Sequence, residues 1–176
     1  QNGLLDSLFC YFGSIDTLEI TNNPHLRTVN CHNSGIDVIL HGSLDSLRYL
    51  DCSFNNLSYL DVTSAQKLHN LNCYSNELVQ LNVAGLPELY LLDCTVNNLS
   101  SLDVSGCSNL FVIGCENNQL SSITCGNNVS LYSINMSQNE FTDIGDLTEA
   151  PNLYQIFASY NLFENISVVN PSLEQL

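Results

Sequence analysis

The chain has 176 residues, and its 18 acidic side chains against three lysine and arginine residues give a formal net charge of −15. Nucleic acids and anionic membranes are bound through dense lysine and arginine, so this charge argues against both as partners. No apolar run is long enough for a membrane helix, and Gln1-Asn2-Gly3 lacks the basic start of a signal peptide. Because no linker is visible, we expect residues 1–176 to form a single elongated domain.

Six of the eight cysteines recur at an unbroken interval of 21 residues, namely Cys10, Cys31, Cys52, Cys73, Cys94 and Cys115. We call this the marker position. Met136 and Ala158 take it in two further turns, the second after one inserted residue, which makes eight repeats. Apolar residues lie five and two positions before each marker and five and eight positions after it, and in the last repeat these are Leu153, Ile156, Phe163 and Ile166.

The residues around each marker predict a strand. Apolar and polar residues alternate, as in Leu50-Asp51-Cys52, which is the period of a half-buried strand. Because the strands return every 21 residues, we expect them to stack in parallel as a solenoid.

The residue three after the marker predicts an inward turn that follows the strand. Six repeats carry asparagine there, whose amide can both donate and accept hydrogen bonds to buried backbone groups, namely Asn55, Asn76, Asn97, Asn118, Asn139 and Asn161. The first two repeats carry Gly13 and Ser34 instead.

The rest of each repeat forms the return side of the solenoid. It leaves too few residues for a well-formed helix, so we expect short strands, 3₁₀ turns and loops. The extended segments would be Leu60-Asp61-Val62, Leu81-Asn82-Val83 and Leu102-Asp103-Val104. Asn170-Pro171-Ser172-Leu173 begins a ninth repeat, and no polar cap precedes Leu5, which favours a fragment of a longer array.

The unit from Leu47 to Leu57 resembles the leucine-rich repeat, whose general form is L-x-x-L-x-L-x-x-N/C-x-L. The sequence of this unit is most similar to the short repeats of bacterial surface proteins, including internalin-like and gut-bacterial proteins. The resemblance implies a right-handed solenoid with a concave parallel sheet of about eight strands that binds a protein or peptide. It also implies a secreted or cell-surface location, although free thiols would fit the cytoplasm equally well.

The marker cysteines occupy a column where the resembled family has leucine, so we interpret them as a thiol ladder in the core. Their spacing is not that of a metal site, and we expect no metal or cofactor. Cys107 and Cys125 lie outside the column on adjacent turns, and the sequence leaves open whether they form a disulfide.

The position four before the marker gives the first set of candidate binding residues. On the edge of the concave sheet it carries Arg27, Arg48, His69, Tyr90, Phe111, Tyr132 and Tyr154. Neighbouring arginines repel each other unless an anion or a carboxylate lies between them. The neutralising group is either an anionic ligand or a carboxylate of the chain itself, for which Asp6 and Asp51 are the candidates. The aromatic residues either contact a ligand or stack to shield the sheet.

Tyr49, Phe54 and Tyr74 form a second candidate set, an aromatic anchor exposed on the concave side. The alternative is ordinary exposure of single apolar residues. No catalytic motif is present, so our hypothesis is a non-enzymatic module for protein or peptide recognition. Two alternatives stay open: a targeting arm for a catalytic domain outside this chain, and a glycan-binding surface protein that stacks sugars on the column from Tyr90 to Tyr154.

Overall fold

The computed structural model describes residues 3–126, 128–144, 147 and 150–165. Every strand in this part of the chain has three residues. In chain order they are β1 (Ser7–Phe9), β2 (Thr17–Glu19), β3 (Thr28–Asn30), β4 (Val38–Leu40), β5 (Tyr49–Asp51), β6 (Tyr59–Asp61), β7 (Asn70–Asn72), β8 (Gln80–Asn82), β9 (Leu91–Asp93), β10 (Ser101–Asp103), β11 (Val112–Gly114), β12 (Ser122–Thr124), β13 (Ser133–Asn135) and β14 (Gln155–Phe157).

Eight of these strands form one long parallel sheet in the order β1-β3-β5-β7-β9-β11-β13-β14. The register advances by one repeat per strand, as in the pairing of Leu50 with Leu71. Between β13 and β14 the pairing of Ile134 with Ile156 takes up the inserted residue. The predicted parallel solenoid and its strand count are therefore confirmed.

The return side consists of short strands paired as β2-β4, β6-β8 and β10-β12. Leu60, Leu81 and Leu102 are the middle residues of β6, β8 and β10, so the predicted extended segments are present, with each strand beginning one residue earlier than predicted. The core is a continuous strip between the two sides, and it contains the apolar columns of the repeat. Ile166 and the predicted ninth repeat lie outside the described residues.

The asparagines hold adjacent turns together as predicted. The amide nitrogen of Asn55 donates to the carbonyls of Cys31 and Cys52, at 2.9 Å each. Its oxygen accepts the backbone N–H of Ser34 and Ile36 at 3.0 and 2.9 Å. Ser34, which stands in the asparagine column, donates its hydroxyl to the carbonyl of Cys10 at 2.7 Å.

The marker cysteines from Cys31 to Cys115 are fully buried, whereas Cys10 at the first turn is only half-buried. Cys107 and Cys125 are also buried, and no disulfide joins them. Burial raises the pKa of the marker thiols from Cys31 to Cys115 and that of Cys107, and the pKa of Cys31 reaches about 12. The cysteine column therefore packs as small apolar side chains. Across the described residues, no helix has the length and apolar character needed to span a membrane.

Candidate functional site

A groove of about 480 Å³ runs along the outward side of the long sheet, which we call the concave face. Two columns of outward side chains line it, because residues two apart on a strand point to the same side. The column three before the marker contributes Thr28, Tyr49, Asn70, Leu91 and Val112, and the column one before it contributes Phe9, Asn30, Asp51, Asn72, Asp93 and Gly114. The groove combines apolar, amide and carboxylate groups on a rigid scaffold.

The second of these columns also has a structural role that the sequence did not indicate. The side-chain oxygen of Asp93 accepts the backbone N–H of Thr95 at 3.0 Å, and Asn72 accepts that of Tyr74 at the same distance. Asp51 accepts both the backbone N–H and the hydroxyl of Ser53, at 3.1 and 2.6 Å. Aspartate and asparagine are suited to such local bonds, which here end each strand. The aspartate and asparagine side chains of this column are therefore fixed in place where they line the groove.

The two candidate arginines have different surroundings. A nitrogen of the Arg27 guanidinium lies 3.3 Å from a carboxylate oxygen of Asp6, and both side chains are exposed. Arg48 has no carboxylate within ion-pair distance among the described residues. Of the two carboxylates considered as alternatives to a ligand, Asp6 pairs with Arg27, whereas Asp51 bonds to Ser53.

The aromatic residues of the edge column stack on one another. From His69 through Tyr90, Phe111 and Tyr132 to Tyr154, successive ring centroids lie 5.0 to 5.2 Å apart with interplanar angles of 3° to 24°. The interior rings therefore have both faces covered by neighbouring rings. A second groove, of about 790 Å³, runs beside this stack. A sugar packs against the face of an aromatic ring, and the interior rings offer it no open face.

The aromatic anchor predicted from Tyr49, Phe54 and Tyr74 is divided between two places. Tyr49 lines the groove, is 47% exposed and lies 6.2 Å from His69 by ring centroids. Phe54 and Tyr74 form an edge-to-face pair at 5.0 Å on the loops after the strands. Only Tyr49 of the three belongs to the groove.

A further aromatic cluster was not among the predicted site residues. Tyr11 stacks on His32 at 5.0 Å, and Phe12 meets the same imidazole edge-on at 4.8 Å. These residues occupy the same two loop columns as Phe54 and Tyr74, so the column pattern could have identified them. Within the described residues, no group of three metal-ligating side chains is present.

The stacked parallel strands, the 21-residue turn and the inward asparagines define the leucine-rich repeat fold, and this chain has it. No family model matches the sequence, and no curated protein matches it. Solved structures do match it, and the three described next are similar to this chain in fold.

The leucine-rich repeat domain of APL1B is 25% identical over 83% of this chain, with a TM-score of 0.75. The functional domain of InlJ from Listeria monocytogenes, described as including a cysteine ladder, is 22% identical over 94% of this chain, with a TM-score of 0.63. A leucine-rich repeat protein of Leptospira interrogans is 18% identical over 92% of this chain, with a TM-score of 0.52. The chain covers 44%, 46% and 56% of those three structures, about half of their lengths.

Proposed function

We propose that this chain is a non-enzymatic recognition module that binds a protein or peptide in the groove of the concave face. The observation that carries the proposal is the groove itself, which is lined by Tyr49 on β5 and by Leu91 and Asp93 on β9, all on one face of the sheet. Tyrosine supplies a large contact area together with a polar group, and such residues dominate binding at protein interfaces. Leucine-rich repeat folds are commonly binding scaffolds, which supports the same function.

A glycan ligand has less support, because the column proposed as its platform is stacked upon itself. We keep a secreted or cell-surface location, of the bacterial surface type, as part of the proposal. This location is supported only by the similarity of the repeat sequence to the repeats of bacterial surface proteins. A targeting arm for a catalytic domain would use the same groove, so it differs from the proposed module only in what the rest of the protein does.

The experiment compares one tyrosine on each side of the solenoid. Tyr49 is 47% exposed in the groove, and Tyr59 is 51% exposed on the return side. The parent, Tyr49→Ser and Tyr59→Ser are measured by interferometry against a panel of secreted and surface proteins. We expect Tyr49→Ser to weaken the selected interaction about tenfold or more, and Tyr59→Ser to leave it unchanged.

Circular dichroism and thermal unfolding check that both variants are folded. Loss of binding in Tyr59→Ser with retention in Tyr49→Ser would assign the interaction to the return side. Equal binding by all three proteins would also contradict a site in this groove.

A further inference from the structure

Gly114 interrupts the column of aspartate and asparagine that lines the groove. On the neighbouring strands this position carries Asp93 and Asn135. The φ angle of Gly114 is not in the left-handed region, so the backbone does not require glycine there. A Cβ at Gly114 would lie 3.2 Å from a carboxylate oxygen of Asp93 and 3.1 Å from the hydroxyl of Thr95. Glycine at this position therefore leaves room for the Asp93 carboxylate to extend over β11, where it lines the groove together with Gly114.

Two apolar side chains lie next to this carboxylate in the groove. Leu91 pairs with Val112, and Asp93 pairs with Gly114, on the adjacent strands β9 and β11. Leu91 and Val112 are half-buried and point into the groove. The four residues thus form a pocket with an apolar half and a carboxylate half, separated by about 7 Å along the strand.

The Asp93 carboxylate is fixed but has capacity left for a ligand. One of its oxygens accepts the backbone N–H of Thr95 at 3.0 Å. Within the described residues, its other oxygen has no hydrogen-bond partner and no cation lies within ion-pair distance. A carboxylate in a partly apolar groove gains from a cationic partner, because the effective dielectric constant there is lower than in water.

Lysine and arginine side chains match this arrangement. Each has an aliphatic stem that can lie along apolar surface and a charged group that stays near polar partners. The stem would contact Leu91 and Val112, and the charged group would reach Asp93. The net charge of −15 favours approach of a cationic partner over longer distances.

We infer that the groove recognises an extended cationic peptide segment, with a lysine or arginine side chain in the pocket formed by Leu91, Val112, Asp93 and Gly114. This inference rests on the proposed function, because it specifies the ligand of the same groove. The aliphatic stem and the charge are both required, so small inorganic cations do not satisfy the site.

The test selects peptides from a random dodecapeptide library on the immobilised parent, Asp93→Asn, Gly114→Asn and Tyr49→Ser proteins. Asp93→Asn removes the charge and keeps the strand-ending hydrogen bond, because Asn72 and Asn135 make the same bond in this column. Gly114→Asn keeps the charge but adds a Cβ that displaces the Asp93 carboxylate from its place over Gly114. Thermal unfolding confirms that each variant is folded.

We expect peptides selected by the parent to be enriched in lysine or arginine at one position. Asp93→Asn and Gly114→Asn should each bind those peptides about tenfold more weakly. Acetylation of the selected lysine should weaken binding similarly. The loss in Asp93→Asn should shrink when salt reduces the Debye length from about 10 Å to about 3 Å.

The outcomes separate this inference from the proposed function. Peptides that lack basic enrichment but lose binding in Tyr49→Ser would overturn the cationic ligand and support the groove. Basic peptides that bind Asp93→Asn and Gly114→Asn as tightly as the parent would overturn the pocket. Failure of the parent to select any peptide would count against both proposals.

Discussion

The second residue after each marker adopts a left-handed backbone conformation in all eight repeats, with φ between 51° and 56° at Phe12, Asn33, Phe54, Ser75, Val96, Asn117, Gln138 and Tyr160. For residues other than glycine this conformation costs about 1–2 kcal/mol, and asparagine tolerates it best. The turn recovers part of that cost through bonds to the next repeat, such as the 2.9 Å bond from the Phe54 N–H to the carbonyl of Tyr74. Stacking therefore imposes a backbone shape that most of these residues do not prefer.

Asn117 is an exposed position at which this cost can be measured. We expect Asn117→Val to lower the free energy of unfolding by about 1 kcal/mol, because a β-branched side chain is strained at this φ of 55°. Asn117→Gly should differ from the parent by only a few tenths. Urea unfolding measures both, with Ser122→Val on a return strand as the control, since valine suits a strand. A neutral Asn117→Val would show that the turn relaxes without strain.

The inward asparagines contribute more, because they are buried. The amide nitrogen of Asn97 donates to the carbonyls of Cys73 and Cys94 at 3.0 Å each, and its oxygen accepts the N–H of Leu78 at 3.0 Å. Asn97→Ala leaves these buried groups without partners, so we expect a loss of about 3 kcal/mol or more in urea unfolding. Asn98→Ala, at the exposed neighbour, should change stability by less than about 0.5 kcal/mol. Equal effects of the two substitutions would contradict the bridging role of Asn97.

At the scale of strands, the sequence predicted the elements well because each is set by burial. Leu50, Cys52 and Leu57 recur at fixed offsets, and only a parallel solenoid can bury all of these columns together. The return strands were predictable because the residues that remain between successive strands of the long sheet are too few for a helix. The left-handed turn was not predictable, because Val96 and Phe54 are poor indicators of that conformation.

The candidate site was predicted less well, because a column of aspartate and asparagine in the sequence does not reveal whether its side chains bind a ligand or the backbone. Asp51 and Asp93 look like variable surface residues in the sequence, yet their carboxylates fix the ends of strands. The ring stack from His69 to Tyr154 was correctly placed in one column. Whether the faces of these rings are open depends on the orientation of the rings, which cannot be read from a sequence.

The thiol column is an element whose burial can be tested by reactivity. The thiolate is the reactive form, and burial raises the pKa of Cys31 to about 12 and those of Cys52, Cys73 and Cys115 well above their usual value. With a disulfide reagent at neutral pH we expect one thiol, that of the half-buried Cys10, to react before unfolding. Cys10→Ser should remove that fast phase. Several fast-reacting thiols in the folded protein would contradict a closed core.

At the scale of the whole molecule, the chain holds many like charges on a narrow solenoid. The acidic excess raises the free energy of the folded state, because folding brings carboxylates closer than they are in the unfolded chain. Turns stack about 4.8 Å apart, so carboxylates at the same position of adjacent turns lie close to each other. Asp16 and Asp37 are such a pair: both are exposed and occupy the same position in adjacent turns, and the Asp37 N–H donates to the Asp16 carbonyl at 2.9 Å.

A substitution in this pair distinguishes the effect of repulsion between adjacent turns from the effect of net charge on stability. We expect Asp16→Asn to raise the free energy of unfolding by about 0.5 kcal/mol at low salt, because like charges directly opposite each other on adjacent turns are destabilising. Asp45→Asn changes the net charge by the same amount, but Pro24 and Gln66 take the equivalent positions of the adjacent turns, so it should stabilise less. Urea unfolding at two sodium chloride concentrations measures both variants. Added salt should stabilise the parent and shrink the advantage of Asp16→Asn, because screening weakens the repulsion that this variant removes. Identical gains from the two substitutions would mean that repulsion is spread over the whole chain and that stacking adds nothing specific to it.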